Sequence, residues 1–455
     1  MSEVFGQPYM RRPAPGKASP HDPRAVTADP FLPYSASFRS VLRGIREEAF
    51  SFWMMCGYLI VEYVRPQSIF PALDVLPWGK IFLILAMLGL LTQRRFRLVS
   101  DPANVLMTIF LAVILMASYL AIYPDVSWFH WFDFVGWYLI YFLIVNIVTT
   151  ERRFTIFLAI FLLASFKLSF FGARTWALRG FSFTTWGLMG PSGPFQNSGE
   201  LSVQMLMFGP IAYEYAQYLR VRAPGAPYAF MLFLPITAAM TVIGASSRGG
   251  QVGLAYQMYR SLLKGRLRFR TLVATAMVVS LAVALIPNEQ VQRFQSAGTD
   301  TTSQQRLLYW KRGVEMIDAH PTLGVGFYNF APFFAQHYPE DILLGSAQLP
   351  HNIFIQVGTD AGLLGLAAFI ALIARNFLCC RQITRIASES KEDLRFAAFI
   401  ARGLGIALWG FLIAGQFVTI AYYPFFWVNL AMSVALLNIV RSRSKIEQRP
   451  VARRA

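Results

Sequence analysis

The residues best placed to bind an anion or move a proton stand at the ends of apolar segments. His351 stands in Pro350-His351-Asn352. Its imidazole titrates near neutral pH and can take a proton from a hydroxyl group. A hydrogen-bonded structural histidine is the other reading. Arg248 stands in Ser246-Ser247-Arg248-Gly249-Gly250. A guanidinium beside flexible glycine suits a phosphate or pyrophosphate, which it grips with two donors at once. The alternative is an interfacial anchor that snorkels to water. Arg306 and Trp310 are spaced to share one face of a helix predicted over Gln304–Ala319. That face reads as an anion site beside a ring for sugar stacking, or as an ordinary amphipathic surface. Gly324 and Gly326 allow tight turns and close approach to a ligand. Glu62, Asp133, Lys167 and Asp360 fall inside apolar segments, where an ionisable group is costly and marks function. The first three also fit the ends of tilted spans.

These groups need elements to hold them, and composition says what kind. Of 455 residues, 55% are hydrophobic and 14% are charged. Soluble proteins carry about 25% charged residues. With 15% aromatics, the chain is suited to a bilayer. Spans of about 20 apolar residues are predicted near 48–64, 78–92, 103–123, 128–148, 154–171, 201–219, 228–246, 250–263, 271–287, 352–374, 396–419 and 423–440. The eighth is the most polar, with Gln251, Gln257 and Arg260, but the alternation of loops requires it. Every even-numbered exit is basic: Arg94-Arg95-Phe96-Arg97, Arg152-Arg153, Arg220 with Arg222, Lys264 with Arg266, Arg375 with Arg381, and Arg441 with Arg443. Cytoplasmic loops are the basic ones, so both termini are expected in the cytoplasm and the odd exits outside.

The net charge of +17 is therefore read as topology and not as nucleic-acid binding. Cys56, Cys379 and Cys380 provide neither a disulfide framework nor metal spacing. The expected organisation is a disordered cytoplasmic tail over 1–47, without a cleaved signal. Membrane helices over 48–287 follow, then a helical periplasmic loop over 288–350, membrane helices over 351–440 and a basic tail over 441–455. In a helix, Gly358, Gly362 and Gly365 fall on roughly one face, where another helix could pack.

The run from His351-Asn352 to Gly362 and Gly365 resembles the signature of the O-antigen ligase and polymerase superfamily. Ser247-Arg248-Gly249, Arg306 with Trp310, and His320-Pro321 with Gly324-Val325-Gly326 occur in that family's order. Gly190–Glu200 is similar to the family's glycine and asparagine loop but keeps only Asn197 of its asparagines. Val61-Glu62-Tyr63-Val64-Arg65-Pro66-Gln67 is similar to the branch of O-glycosylation ligases associated with exosortase systems. The resemblance implies a GT-C-like fold of about twelve helices in the inner membrane. It implies a glycan donor on undecaprenyl pyrophosphate, an acceptor such as lipid A–core, and inverting transfer without cofactor, metal or nucleotide sugar. Catalytic roles then fall to His351 and Arg248. Arg306, Trp310, Arg312, Arg174, Arg179, Asn197, Tyr328 and Asn352 are expected to bind pyrophosphate or glycan. Ligase is the favoured reading. Polymerase and protein O-glycosylation ligase are alternatives within the class, and a secondary transporter is the alternative outside it. No internal repeat supports a transporter.

Overall fold

The computed structural model describes residues 48–93, 98–182, 187–262, 298–390 and 393–447. The expectations for 1–47, the span 271–287, the loop charges at 94–97 and 264–270, and the tail from 448 lie outside the described residues. Among the described residues the fold is all-helical. The long helices are α1 (Phe50–Val64), α2 (Trp78–Leu91), α3 (Pro102–Tyr119), α4 (Pro124–Ile147), α5 (Glu151–Leu178), α6 (Ser198–Arg222), α7 (Ala226–Gly244) and α8 (Arg248–Leu262). They continue with α9 (Thr301–Ala319), α10 (Phe330–His337), α11 (Ile353–Glu389), α12 (Arg395–Ala414) and α13 (Pro424–Glu447). Eleven of the expected spans fall on helices α1–α8 and α11–α13. Among the described residues seven helices (α3, α4, α5, α7, α11, α12 and α13) are long and apolar enough to cross a membrane, and the chain is a multi-pass membrane protein.

Local chemistry sets the helix starts. Asp101 caps α3 by accepting from the Ala103 N–H at 3.0 Å, with Pro102 at the first helical position. Thr150 caps α5 in the same way. The polar helices α6 and α8 owe their place to protein rather than lipid. α6 is buried along most of its length. Gln257 of α8 donates to the Leu206 carbonyl of α6 at 2.8 Å and to the Ile406 carbonyl of α12 at 3.2 Å.

Besides these internal links, two further sets of polar links lie towards opposite ends of the bundle. One set holds Arg375 with Asp101 at 2.9 Å, Arg153 with Glu48 at 2.7 Å and Arg402 with Glu214 at 3.1 Å. The other set ties the bundle to a helical cap. The Ile122 N–H donates to the Val325 carbonyl at 3.0 Å, and the Ser127 hydroxyl to the Phe327 carbonyl at 2.7 Å. Asn329, fully buried, bonds Tyr123 and Ser127 together. The cap is α9, α10 and the turn Pro339–Asp341 around a core of Tyr309, Met316, Val325, Phe330, Phe333 and Phe334. This is the helical loop expected between 288 and 350, seen from residue 298 onward.

The structure differs from expectation in two places. α11 is not one continuous span. It breaks at Gly362, whose φ of 64° and ψ of −165° lie in a region open essentially to glycine alone. The break lets the cap in: the Leu363 N–H donates to the Pro321 carbonyl at 2.7 Å, and the Val325 N–H to the Thr359 carbonyl at 2.8 Å. Gly358, Gly362 and Gly365 therefore do not form one face for a neighbouring helix. Gly358 lies against Ile317 of α9, Gly362 against the Thr322 backbone, and Gly365 against Ala361 across the kink. Spacing alone cannot distinguish a continuous helix from two halves. The second difference is the span expected over 396–419, which ends as helix at Ala414. Residues 415–423 form a non-helical hub packed inside the protein, so their apolar side chains need no lipid.

Gly362→Ala is expected to lower thermal stability in detergent by at least about 1–3 kcal/mol, because its Cβ would fall on the Thr322 carbonyl. Gly136→Ala in α4, where a Cβ meets open space, is the control and should be neutral or slightly stabilising. Equal melting temperatures for the two variants would contradict the break.

Candidate functional site

The site forms where α8, α9, the start of α11 and the hub meet. Asn352 caps α11: its side-chain oxygen accepts from the Phe354 and Ile355 N–H groups at 2.9 and 3.2 Å. Its amide donates to Gln416 of the hub at 3.1 Å. Directly before it, His351 takes the left-handed conformation with φ of 52°. A non-glycine residue rarely adopts this unless its surroundings enforce it, and they do. The Pro350 carbonyl accepts from Trp310 Nε1 at 3.0 Å, and the His351 N–H donates to Thr419 Oγ1 at 2.9 Å. The Ile353 N–H donates to the Gly415 carbonyl at 2.9 Å. Trp310 packs beside Phe417 with centroids 6.2 Å apart. It is thus half-buried and spends its indole N–H on holding the histidine hinge.

The charges follow a pattern. Asp300 caps α9, accepting from the Ser303 N–H at 3.0 Å. The same carboxylate takes Arg248 in a fork at 3.1 and 3.5 Å. Burial opposes its ionisation, but the Arg248 and Ser303 hydrogen bonds and the guanidinium charge win, holding Asp300 at about 2. Arg306 has a different environment. Its Nε is buried and, among the described residues, has no hydrogen-bond acceptor. Burial first, and then the nearby Arg248 charge, pull its pKa down. His351 is lowered to about 4, again by burial first and then by the charge of Arg306. Its imidazole is therefore neutral at pH 7. Arg248, Arg306 and His351 thus form one electrostatic cluster, with Arg306 felt by both others.

The remaining predicted residues have other places. Arg312 lies one helical face away. It pairs with Glu315 at 2.9 Å and Asp341 at 2.6 Å, and these two carboxylates raise its pKa; it also sits over the Tyr338 ring at 4.5 Å. Arg174 and Arg179 are exposed at the cap end of α5 and make no side-chain hydrogen bond to the cluster. Asn197 closes the start of α6 with Glu200, which accepts its backbone N–H at 3.3 Å. Arg65 donates to the Ser192 carbonyl and so pins the 190–196 loop. Tyr328 is left-handed, with φ of 59°, stacked on His130 at 4.1 Å and tilted against Tyr422 of the hub. Gly324 and Gly326 have φ of 69° and 118°, with Thr359 and Ala121 where their side chains would be. Asp360 is buried beside Tyr422, Lys167 donates to the Val64 carbonyl at 3.0 Å, and Asp133 is half-exposed beside His130.

Sequence reasoning passed over Asp300, Gln348, Gln416, Phe417 and Thr419. Asp300 ahead of Thr301-Thr302-Ser303 carries a helix-cap signal that could have found it. The hub residues carry none, because Phe417 to Ala421 reads as the end of a span.

A family model described as O-antigen ligase matches residues 233–370. That stretch carries Arg248, Asp300, Arg306, Trp310, His351, Asn352 and the Gly362 break. No curated protein matches the chain.

A histidine lowered to about 4 has a consequence for stability. The unfolded chain takes up this proton near pH 6.5 and the folded chain does not, so stability falls between pH 6.5 and 4 and is unaffected above that window. In a ¹⁵N titration His351 should stay neutral down to about pH 4. Arg306→Gln removes a repelling charge and should move the midpoint up. An ordinary midpoint near 6.5 in the unsubstituted protein would refute the assigned environment.

Proposed function

Taking residues 233–370 as an O-antigen ligase domain, we propose that the protein transfers a glycan from a polyprenyl pyrophosphate to an acceptor hydroxyl. Lipid A–core is the favoured acceptor, and undecaprenyl pyrophosphate the favoured carrier. The observation that carries this reading is Arg306: a partly buried guanidinium with an unused Nε, between a second guanidinium and a neutral imidazole. A pyrophosphate offers the acceptors that Arg306 lacks, and a developing negative charge on the leaving oxygen is stabilised there. Arg248, oriented by Asp300, adds its charge.

The reaction in this reading is a single displacement with inversion. The acceptor oxygen forms a bond to the anomeric carbon while the bond from that carbon to the pyrophosphate oxygen breaks. The hydroxyl proton passes to neutral His351, and the pyrophosphate leaves with the bonding electron pair. One base and one anion site suffice. The hub and cap would exclude water from that base, so that the acceptor hydroxyl and not a water molecule is activated.

The cap end is read as the periplasmic one. Supporting this, Arg152, Arg153, Arg222, Arg381, Arg395 and Arg443 cluster at or near the opposite ends of their helices, and basic ends favour the cytoplasm. The cluster also lies at the capped end of the bundle and not at mid-depth, where transporters hold their substrates.

His351→Ala should reduce transfer by about 10²–10⁴-fold with normal membrane insertion. Arg306→Lys keeps charge but loses the planar fork and should be weakly active. Arg248→Lys should also be weak. Full activity in His351→Ala would exclude the base. A deletion strain analysed for lipopolysaccharide ladders tests the acceptor. Loss of all O-antigen from the core means ligase, a single-repeat band means polymerase, and an unchanged ladder excludes both.

A further inference from the structure

We propose that Gln348 is a positioning residue for His351: its side-chain oxygen accepts the imidazole Nε2 proton and leaves the Nδ1 lone pair to meet the acceptor hydroxyl. This rests on the glycosyl-transfer reading above. The geometry begins with a fixed backbone. Trp310, Thr419 and the Asn352–Gln416 pair hold the peptide units on both sides of His351. The side chain retains one hydrogen bond of its own, Nε2 to Gln348 Oε1 at 3.3 Å. Gln348 is anchored in turn, because its N–H donates to the Tyr309 hydroxyl at 2.8 Å and Tyr309 is 1% exposed in the cap core.

A neutral imidazole carries one proton, and the partner of one nitrogen decides which nitrogen holds it. An amide oxygen accepts but cannot donate, so the proton belongs on Nε2. Burial first, and then the charge of Arg306 on α9, disfavour a second proton. The base is then Nδ1, ready to receive the proton released when the glycosidic oxygen bond forms. The cap thus sets the tautomer through Tyr309 and Gln348, while the hub sets the backbone through Thr419.

The test uses full-length protein labelled with ¹⁵N-histidine in detergent micelles. The chain has 5 histidines, and His351 is assigned by its loss in His351→Gln. Long-range ¹H–¹⁵N spectra at pH 7 should show the Nε2–H tautomer. Gln348→Ala should give a tautomer mixture in a folded protein and reduce kcat by roughly 10–100-fold with KM little changed. Gln348→Glu places a carboxylate against the ring, so the imidazole should titrate higher and the acid limb of kcat/KM should rise with it. An Nδ1–H tautomer in the unsubstituted protein overturns the proposal. So does a Gln348→Ala variant that keeps the original tautomer. Unimpaired transfer in His351→Ala overturns the base assignment of His351 instead, and absence of transfer by the unsubstituted protein overturns the glycosyl-transfer reading, whichever tautomer is found.

Discussion

The break in α11 is the constraint on which the site depends. In a helix interior every backbone N–H is bonded within the helix, and each carbonyl already accepts one such bond. At Gly362 two of these groups become available, and the cap takes both: the Leu363 N–H meets the Pro321 carbonyl, and the Thr359 carbonyl meets the Val325 N–H. Near a membrane such groups cannot be left without partners, since each would cost several kcal/mol in hydrocarbon. Break and cap therefore require each other. The short first half of α11 belongs structurally to the cap, which contacts it through Gly313 on Ile355 and Ile317 on Gly358. That half carries Asn352 and, one residue before it, His351.

The second half of the support comes from the hub. Residues 415–423 touch almost everything that matters. Thr419 and Gln416 hold the His351 hinge, Phe417 lies under Gly249 and beside Trp310, and Val418 lies against Gly199. Gln356 of α11 accepts from the Ala421 N–H at 3.1 Å. Gly249 and Gly199 sit where a side chain would collide with these residues. Close approach at those two helix starts is thus why glycine follows Arg248 and precedes Glu200. Charge is arranged with the same economy. Asp300 orients Arg248, and the charge of Arg306 helps keep His351 neutral.

Much of this was legible in the sequence, for identifiable reasons. Hydropathy finds helices that face lipid, such as α3, α5 and α7, and the alternation of basic exits finds α8, which hydropathy alone would miss. Arg248, Arg306 and His351 were legible from their motifs and their places beside apolar segments, in Ser247-Arg248-Gly249, in the helix shared with Trp310, and in Pro350-His351-Asn352. What remained hidden is apolar backbone that is not helix. Phe417, Val418, Ile420 and Ala421 look like the end of α12, since hydropathy cannot tell burial in protein from burial in lipid. Nor does sequence show that Arg312 is consumed by Asp341 and Glu315, or that Trp310 gives its indole N–H to Pro350. Both depend on partners distant along the chain.

The position of the hub along the chain has a consequence for biogenesis. Chains are made from the N-terminus, and early segments fold before late ones exist. Arg248, Arg306 and His351 all precede the hub, yet the histidine hinge closes only on Thr419 and Gln416. Those residues lie between α12 and α13 and are set by α13, whose Trp427 donates to the Ala421 carbonyl at 3.0 Å. An incomplete chain on the ribosome thus holds all three side chains of the cluster but not the contacts that fix the histidine hinge. The hinge is complete only once the last helix has been made and has set the hub.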